Sequence, residues 1–316
     1  MRAETLPAAI RSIQRQTFTD WELLVVVQGQ DPPAAPAAEG ALQDDTRGRV
    51  VAIPTPGLSR ARNAGFAHAR GDVIAVMDDD CEADPDWLAV LVACLDRDPR
   101  AGLVGGALVA PPRTARLSVC PAMVPVEGRY DPLDGTPPPG WDWVGGNFAI
   151  RRSLVERVGD FDEHLGAGTE FASAEELDYK LRIEQLGVAM QATPRAVVHH
   201  THGARTGLRA VLRHHRNYAR GYGGLAGKLT LLGDPRGEAF VRGTLRDWRR
   251  DLRDPRRLAR APQHVRRWLH VARAYERCLR HYRVDDRGLL VPREIGAGRE
   301  RPGRVAHSVR DIATGR

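Results

Sequence analysis

The segment Gly71-Asp72-Val73-Ile74-Ala75-Val76-Met77-Asp78-Asp79-Asp80 limits the fold more than any other stretch of the chain. Val73 to Met77 is an apolar run of strand length, and it ends directly in three carboxylates. Acids at the carboxyl end of a buried strand lie where α/β sheets bind their ligands. Acids also cap helices, and that explains Asp84 ahead of Pro85, Asp86 and Trp87. It does not explain three consecutive acids closing a buried strand.

The rest of the first two hundred residues alternates in the same style. Leu6, Ile10 and Ile13 fall at helical spacing, and Trp21 to Val27 reads as a buried strand. A Pro/Ala/Gly-rich loop is expected over 31–40, strands over 49–53, 72–77 and 103–109, and helices over 58–69, 85–95, 152–158 and 174–185. Residues 111–140 read as an irregular excursion. Helix and strand in alternation predict a mostly parallel, Rossmann-like sheet flanked by helices. The chain opens directly into a helix, so this sheet lacks the strand that normally precedes it. Either the sheet is shortened or the start lies further upstream.

Charge divides the chain. Residues 206–316 hold 27 Lys and Arg against 11 Asp and Glu, while residues 1–205 hold 20 against 29. The expected organisation is an α/β domain over 1–205 and a basic, mainly helical extension over 206–316. In the extension, Val265, Trp268, Leu269, Ala272, Tyr275 and Leu279 form an apolar stripe. Such a tail faces an anionic membrane or polyanion, or else is a set of solvated helix faces. Nucleic acid ranks last, because no helix-turn-helix, zinc-finger or RNP signature accompanies the arginines. No apolar run approaches the roughly 20 residues of a membrane span, and the first residues lack a signal-peptide pattern. Cys81, Cys94, Cys120 and Cys278 are scattered without CxxC spacing. They are expected as inert thiols in a reducing compartment, and a cytoplasmic address follows.

Four further groups carry chemistry. Gly57-Leu58-Ser59-Arg60-Ala61-Arg62-Asn63-Ala64-Gly65 sets Arg62 and Asn63 at a loop-to-helix junction, where cations and amides meet phosphate or sugar hydroxyls. Trp141 and Trp143 precede Gly145-Gly146-Asn147, and aromatic faces there either stack on a sugar or fill the core. His199, His200 and His202 follow a strand; His202 is the candidate to reach a metal or diphosphate. Glu175, Glu176 and Asp178 read as an acidic first helical turn favoured by the helix dipole.

Taken together, the order of these motifs resembles glycosyltransferase family 2, the large GT-A group of inverting sugar transferases. The resemblance runs over roughly residues 4 to 205. It takes in Glu4-Thr5-Leu6, Ser12 to Thr17, Glu22 to Val27, Ala61 to Gly65, Gly71 to Asp80, Asp84 to Leu88, Gly145 to Arg152, Phe161-Asp162-Glu163 and Glu175 to Asp178. It implies a GT-A fold in which Asp78 and Asp80 form a DxD-type site for Mn2+ or Mg2+ against a sugar-nucleotide diphosphate, with Asp79 beside them. Glu176 falls where the family carries its general base, with Glu175 as the neighbouring candidate. The second strand normally ends in an aspartate that reads the base; here Asp31 or Gln28 substitutes. Trp143, Gly146 and Asn147 are assigned to the acceptor.

The implied reaction is inverting transfer of a sugar from a nucleotide-diphosphate donor to a hydroxyl acceptor, in cell-surface glycan, glycolipid or secondary-metabolite assembly. A lipid-linked acceptor would place the chain peripherally at the inner face of the plasma membrane. The rival is a catalytically degenerate transferase domain that binds sugar nucleotides or serves as a scaffold.

Overall fold

A computed structural model describes residues 3–29, 33–43, 45–112, 115, 117–254 and 261–293. In chain order the elements are α1 (Leu6–Gln14), β1 (Leu23–Gln28), α2 (Ala34–Leu42), β2 (Gly48–Ile53), α3 (Leu58–His68), β3 (Val73–Met77), β4 (Glu82–Ala83) and α4 (Trp87–Arg97). Then come β5 (Ala101–Val109), β6 (Ser118–Val119), β7 (Gly128–Tyr130), β8 (Asn147–Arg151), α5 (Arg152–Val158), α6 (Glu175–Gln185), β9 (Ala189–His199) and β10 (Arg205–Thr206). Last are α7 (Leu208–Leu231), α8 (Arg236–Arg253), α9 (Ala261–His281), β11 (Tyr282–Val284) and β12 (Leu290–Pro292). They gather into two compact units. One takes the chain up to Pro56 with Arg60–Phe161 and Tyr179–Val211; the other takes Gly57–Ser59, Asp162–Asp178 and the chain from Leu212. The expected division at residue 205 follows the chain, whereas these units are drawn in space.

The first unit is a layered α/β body. Its main sheet runs β3-β8-β5-β9-β4, with β7 also on β9. Strand β8 is antiparallel to both β3 and β5, while β5 and β9 are parallel, so β3, β5 and β9 share one direction. Period-two alternation sends neighbouring side chains to opposite faces. Val104, Leu108, Ala149 and Val198 pack beneath α4, against Trp87, Leu91 and Leu95. Leu103, Phe148, Ile150 and Met190 pack on the other face, against Phe66, Leu154, Phe161, Tyr179 and Ile183. The stacked Phe161 and Tyr179 rings, 4.0 Å apart, add about 0.5–1.5 kcal/mol beyond their burial.

Strands β1 and β2 pair in parallel only with each other. Among the described residues no strand pairs with the second edge of β1 or of β3, so the sheet stands in two pieces. Helix α1 serves both: Leu6 and Ile10 pack with Val25 and Val27, and Ile13 joins the core under the main sheet.

Two local expectations change. The loop expected over 31–40 is, from Ala34 on, helix α2, whose Ala34, Ala38 and Leu42 are buried. Pro36 sits in its first turn, where the backbone N–H has no intrahelical acceptor to lose. The excursion over 111–140 contains the short strands β6 and β7.

In the second unit α7, α8 and α9 pack around Ala219, Ala226, Val241, Val271, Ala272, Tyr275 and Leu279, and β11 pairs with β12 in a hairpin. Most of the apolar stripe of α9 is therefore core. Its exposed face carries Arg266, Arg267, Arg273 and Arg280. No described helix is long and apolar enough to cross a membrane.

Candidate active site

The three acids emerge from β3 as expected, and strand register explains their neighbours. Met77 pairs with Asn147 at the start of the antiparallel β8, which sets the turn before β8 against Asp78. A Cβ built on Gly146 would lie 2.8 Å from Asp78 Oδ2, and one on Gly145 would lie 2.8 Å from Arg62 Nη2. Only glycines admit both side chains. Arg62 is 6% exposed; it donates to Gly145 O at 2.7 Å and stands 3.8 Å from Asp78 Oδ1. Desolvation drives the Asp78 carboxyl above its ordinary range, against the pull of Arg62 and with the push of Asp80. Asp79 lends its carbonyl to the Thr5 hydroxyl at 3.0 Å.

Asp80 is buried beside an imidazole. His200 Nε2 lies 3.1 Å from Asp80 Oδ1, and Arg205 Nη1 lies 3.9 Å from Oδ2. His200 Nδ1 meets Pro121 O at 2.8 Å, which fixes the ring. Burial alone would lower the His200 pKa, but the bonds to Asp80 and Pro121 hold it above its ordinary value. His200, which the sequence did not single out, is thus the histidine whose ring meets Asp80. Along β9 burial alternates, Ala196 and Val198 in and His199 out, and His200 continues inward. His202 is exposed and contributes its backbone N–H to Asp80 O at 3.2 Å.

Asp80, Cys81 and His200 each bring one ligand atom within 4.8 Å of the others. Burial and the surrounding acids push the Cys81 thiol up, and hard divalent ions prefer oxygen and imidazole to thiolate. Carboxylate and imidazole remain, with Asp78 alongside, and this donor set fits a divalent ion.

Several residues expected at the site have structural work instead. Asn147 is fully buried: its amide donates to Ala107 O at 2.7 Å and Ala196 O at 2.9 Å and accepts from Trp87 Nε1 at 2.8 Å. Both amide N–H groups and the amide oxygen are engaged inside the protein, so the bonds it makes are structural. Asn63 clamps Phe161, accepting from its N–H at 2.8 Å and donating to its carbonyl at 3.0 Å. Trp143 is 4% exposed and packs on Phe148 with ring centroids 5.0 Å apart, as core rather than platform. Gln28 ends β1 opposite Ile53. Asp31 lies outside the described residues.

Two variants test these assignments. Gly146→Ala forces a methyl onto the Asp78 carboxylate and is expected to weaken Mn2+ affinity about 10-fold, measured by titration calorimetry, with the melting temperature retained. Asn147→Leu strands three buried polar groups and is expected to cost about 2–3 kcal/mol in urea unfolding while leaving acceptor KM unchanged.

In the second unit the acidic pair opens α6. Glu175 is 5% exposed and packs on the Gly166 turn, where φ is +101°. Glu176, the next residue round the helix, is half-buried. Of the two, Glu176 is the one a substrate can reach.

The profile of glycosyl transferase family 2 matches residues 1–159. The glucosyl-dolichyl phosphate glucuronosyltransferase of Haloferax volcanii is 30% identical over 215 residues, covering 63% of this chain and 65% of that protein. Inactive polypeptide N-acetylgalactosaminyltransferase-like protein 5 of Macaca fascicularis is 29% identical over 175 residues, covering 49% and 38%. The chain thus spans less than two thirds of either relative's length. Among solved structures, a mannosyltransferase from Pyrobaculum calidifontis in complex with GDP-Man and Mn2+ superposes with a TM-score of 0.51 at 18% identity, over 88% of this chain and 70% of that one. The fold is GT-A.

Proposed function

The chain belongs to glycosyltransferase family 2, and from that premise we propose that it transfers a sugar, with inversion, from a nucleotide-diphosphate donor to a hydroxyl acceptor. The observation that carries this reading is the end of β3, where Asp80 meets the buried His200 at 3.1 Å and Asp78 stands beside Gly146. Asp78, Asp80 and His200 would hold Mn2+ or Mg2+. When bound, the ion supplies positive charge against the donor diphosphate.

The chain's own residues do the rest. Glu176 takes the proton of the acceptor hydroxyl as that oxygen bonds to the anomeric carbon. The bond from that carbon to the diphosphate oxygen breaks, and the nucleoside diphosphate leaves with the electron pair. One displacement inverts the anomeric centre. Arg62 keeps Asp78 and the Gly145 turn in place.

A lipid-linked acceptor is favoured by the name of the haloarchaeal relative, which acts on a dolichyl phosphate sugar. Arg266, Arg267, Arg273 and Arg280 on the exposed face of α9 suit contact with an anionic membrane, and we place the protein at its cytoplasmic side. Glycan or glycolipid assembly is the corresponding setting.

A second reading, a binding or scaffold protein without turnover, is favoured by the divided sheet and by the relative named as inactive. Thermal denaturation with a panel of nucleotide-diphosphate sugars tests the donor site. One donor is expected to raise the melting temperature with Mn2+ and not with EDTA. A panel that leaves it unmoved contradicts donor binding, and with it both readings.

A further inference from the structure

Lys228 lies in the last turn of α7 and is 1% exposed, a degree of burial rare for lysine unless it is paired. Its Nζ lies 2.8 Å from Asp162 Oδ2 and 2.6 Å from Asp178 Oδ1, and both aspartates are buried as well. Asp162 is further held by the N–H groups of His164 and Leu290, at 3.0 and 2.8 Å. Asp178 lies two residues beyond Glu176 in the first turn of α6.

The same helix grips the segment that leads into Glu176. A Cβ on Gly221 would run into Ser173, and one on Gly224 into the Phe171 ring. Ser173 Oγ donates to Tyr218 O at 3.2 Å, and Arg220 Nη2 donates to Glu170 O at 2.7 Å. From the hairpin, the Tyr282 hydroxyl donates to Glu170 Oε2 at 2.7 Å. Between this grip and the helix start, Ala174 is held at φ +71°, a conformation costing a non-glycine residue about 1–3 kcal/mol. Strain of this kind persists only where the surroundings over-determine it. Here the grip of α7 upstream and the Lys228–Asp178 pair downstream supply that constraint.

We infer that Lys228 is a positioning residue for sugar transfer, tying α7 to the first turn of α6 so that Glu176 is held at a fixed place and angle. The inference rests on the reading of Glu176 as the general base. A structural pair alone would need only to hold the fold. A pair that positions the base must act on turnover through Glu176.

Removing the lysine takes a buried positive charge from between two buried carboxylates and endangers folding. The test therefore uses Asp178→Asn, which cuts the tie to α6 and leaves the Lys228–Asp162 pair intact; Lys228→Met is its companion wherever it folds. With the donor and Mn2+ saturating, Asp178→Asn is expected to lower kcat about 10- to 100-fold with donor KM unchanged. In a Glu176→Gln background the same substitution is expected to cost less than twofold, because the group it positions is already gone. An equal loss in both backgrounds, or an unchanged kcat in the single variant, overturns the positioning role alone. Wild-type kcat in Glu176→Gln itself overturns the base and the inference together.

Discussion

Asp80→Ala is expected to lower nucleotide release from the donor by about 100-fold or more, because it removes a charge that would fix the ion opposite the leaving diphosphate. The fold should survive. Asp80 is buried, but its partner His200 loses by the same substitution one of the bonds that raise its pKa, while burial works toward the neutral ring. A melting temperature within a few degrees of wild type, with turnover at the limit of detection, is the outcome that separates a site residue from a core residue. Asp80→Asn keeps the shape but not the charge and is expected to behave the same way.

Glu176→Gln is the second large effect. A general base contributes about 10²- to 10⁴-fold, so kcat should fall within that range while donor KM stays put, because the amide replaces the carboxylate at equal volume. Glu175→Gln is the internal comparison. Glu175 is buried against Gly166 and Glu176 is half-buried, so the Glu175 substitution should register first in stability. Steady-state kinetics and urea unfolding of the two variants measure both sides of that contrast.

The parts of this molecule that rest on local pattern were legible from its residues. Val73 to Met77 followed by three acids is an apolar period closed by charge, and it forms β3 with the carboxylates at its end. Helix α5 over Arg152–Val158 and the acidic opening of α6 at Glu175 follow from periodicity and composition in the same way. What pattern does not reveal is who faces whom. Three histidines in four residues offer no choice until the phase of β9 is known, and that phase turns His200 inward and leaves His202 outside. Asn63 and Asn147 sit in motifs that look like ligand contacts, yet their amides close on Phe161, Trp87, Ala107 and Ala196, partners 40 to 98 residues away along the chain. Lys228 was invisible for the opposite reason. A lysine on an arginine-rich helix reads as solvent-facing, and its counter-ion Asp162 lies 66 residues earlier. Helix α2 was hidden by its prolines, which fall where a helix tolerates them.

The central claim is metal-dependent turnover of a nucleotide-diphosphate sugar. Its most direct test is release of nucleoside diphosphate from a panel of such donors by the wild-type protein, with hydroxyl acceptors present, in Mn2+ or Mg2+ and again in EDTA. The account predicts that one donor is consumed with the ion and spared without it. A donor that binds yet is never consumed across the acceptor panel, or one consumed equally in EDTA, would contradict it.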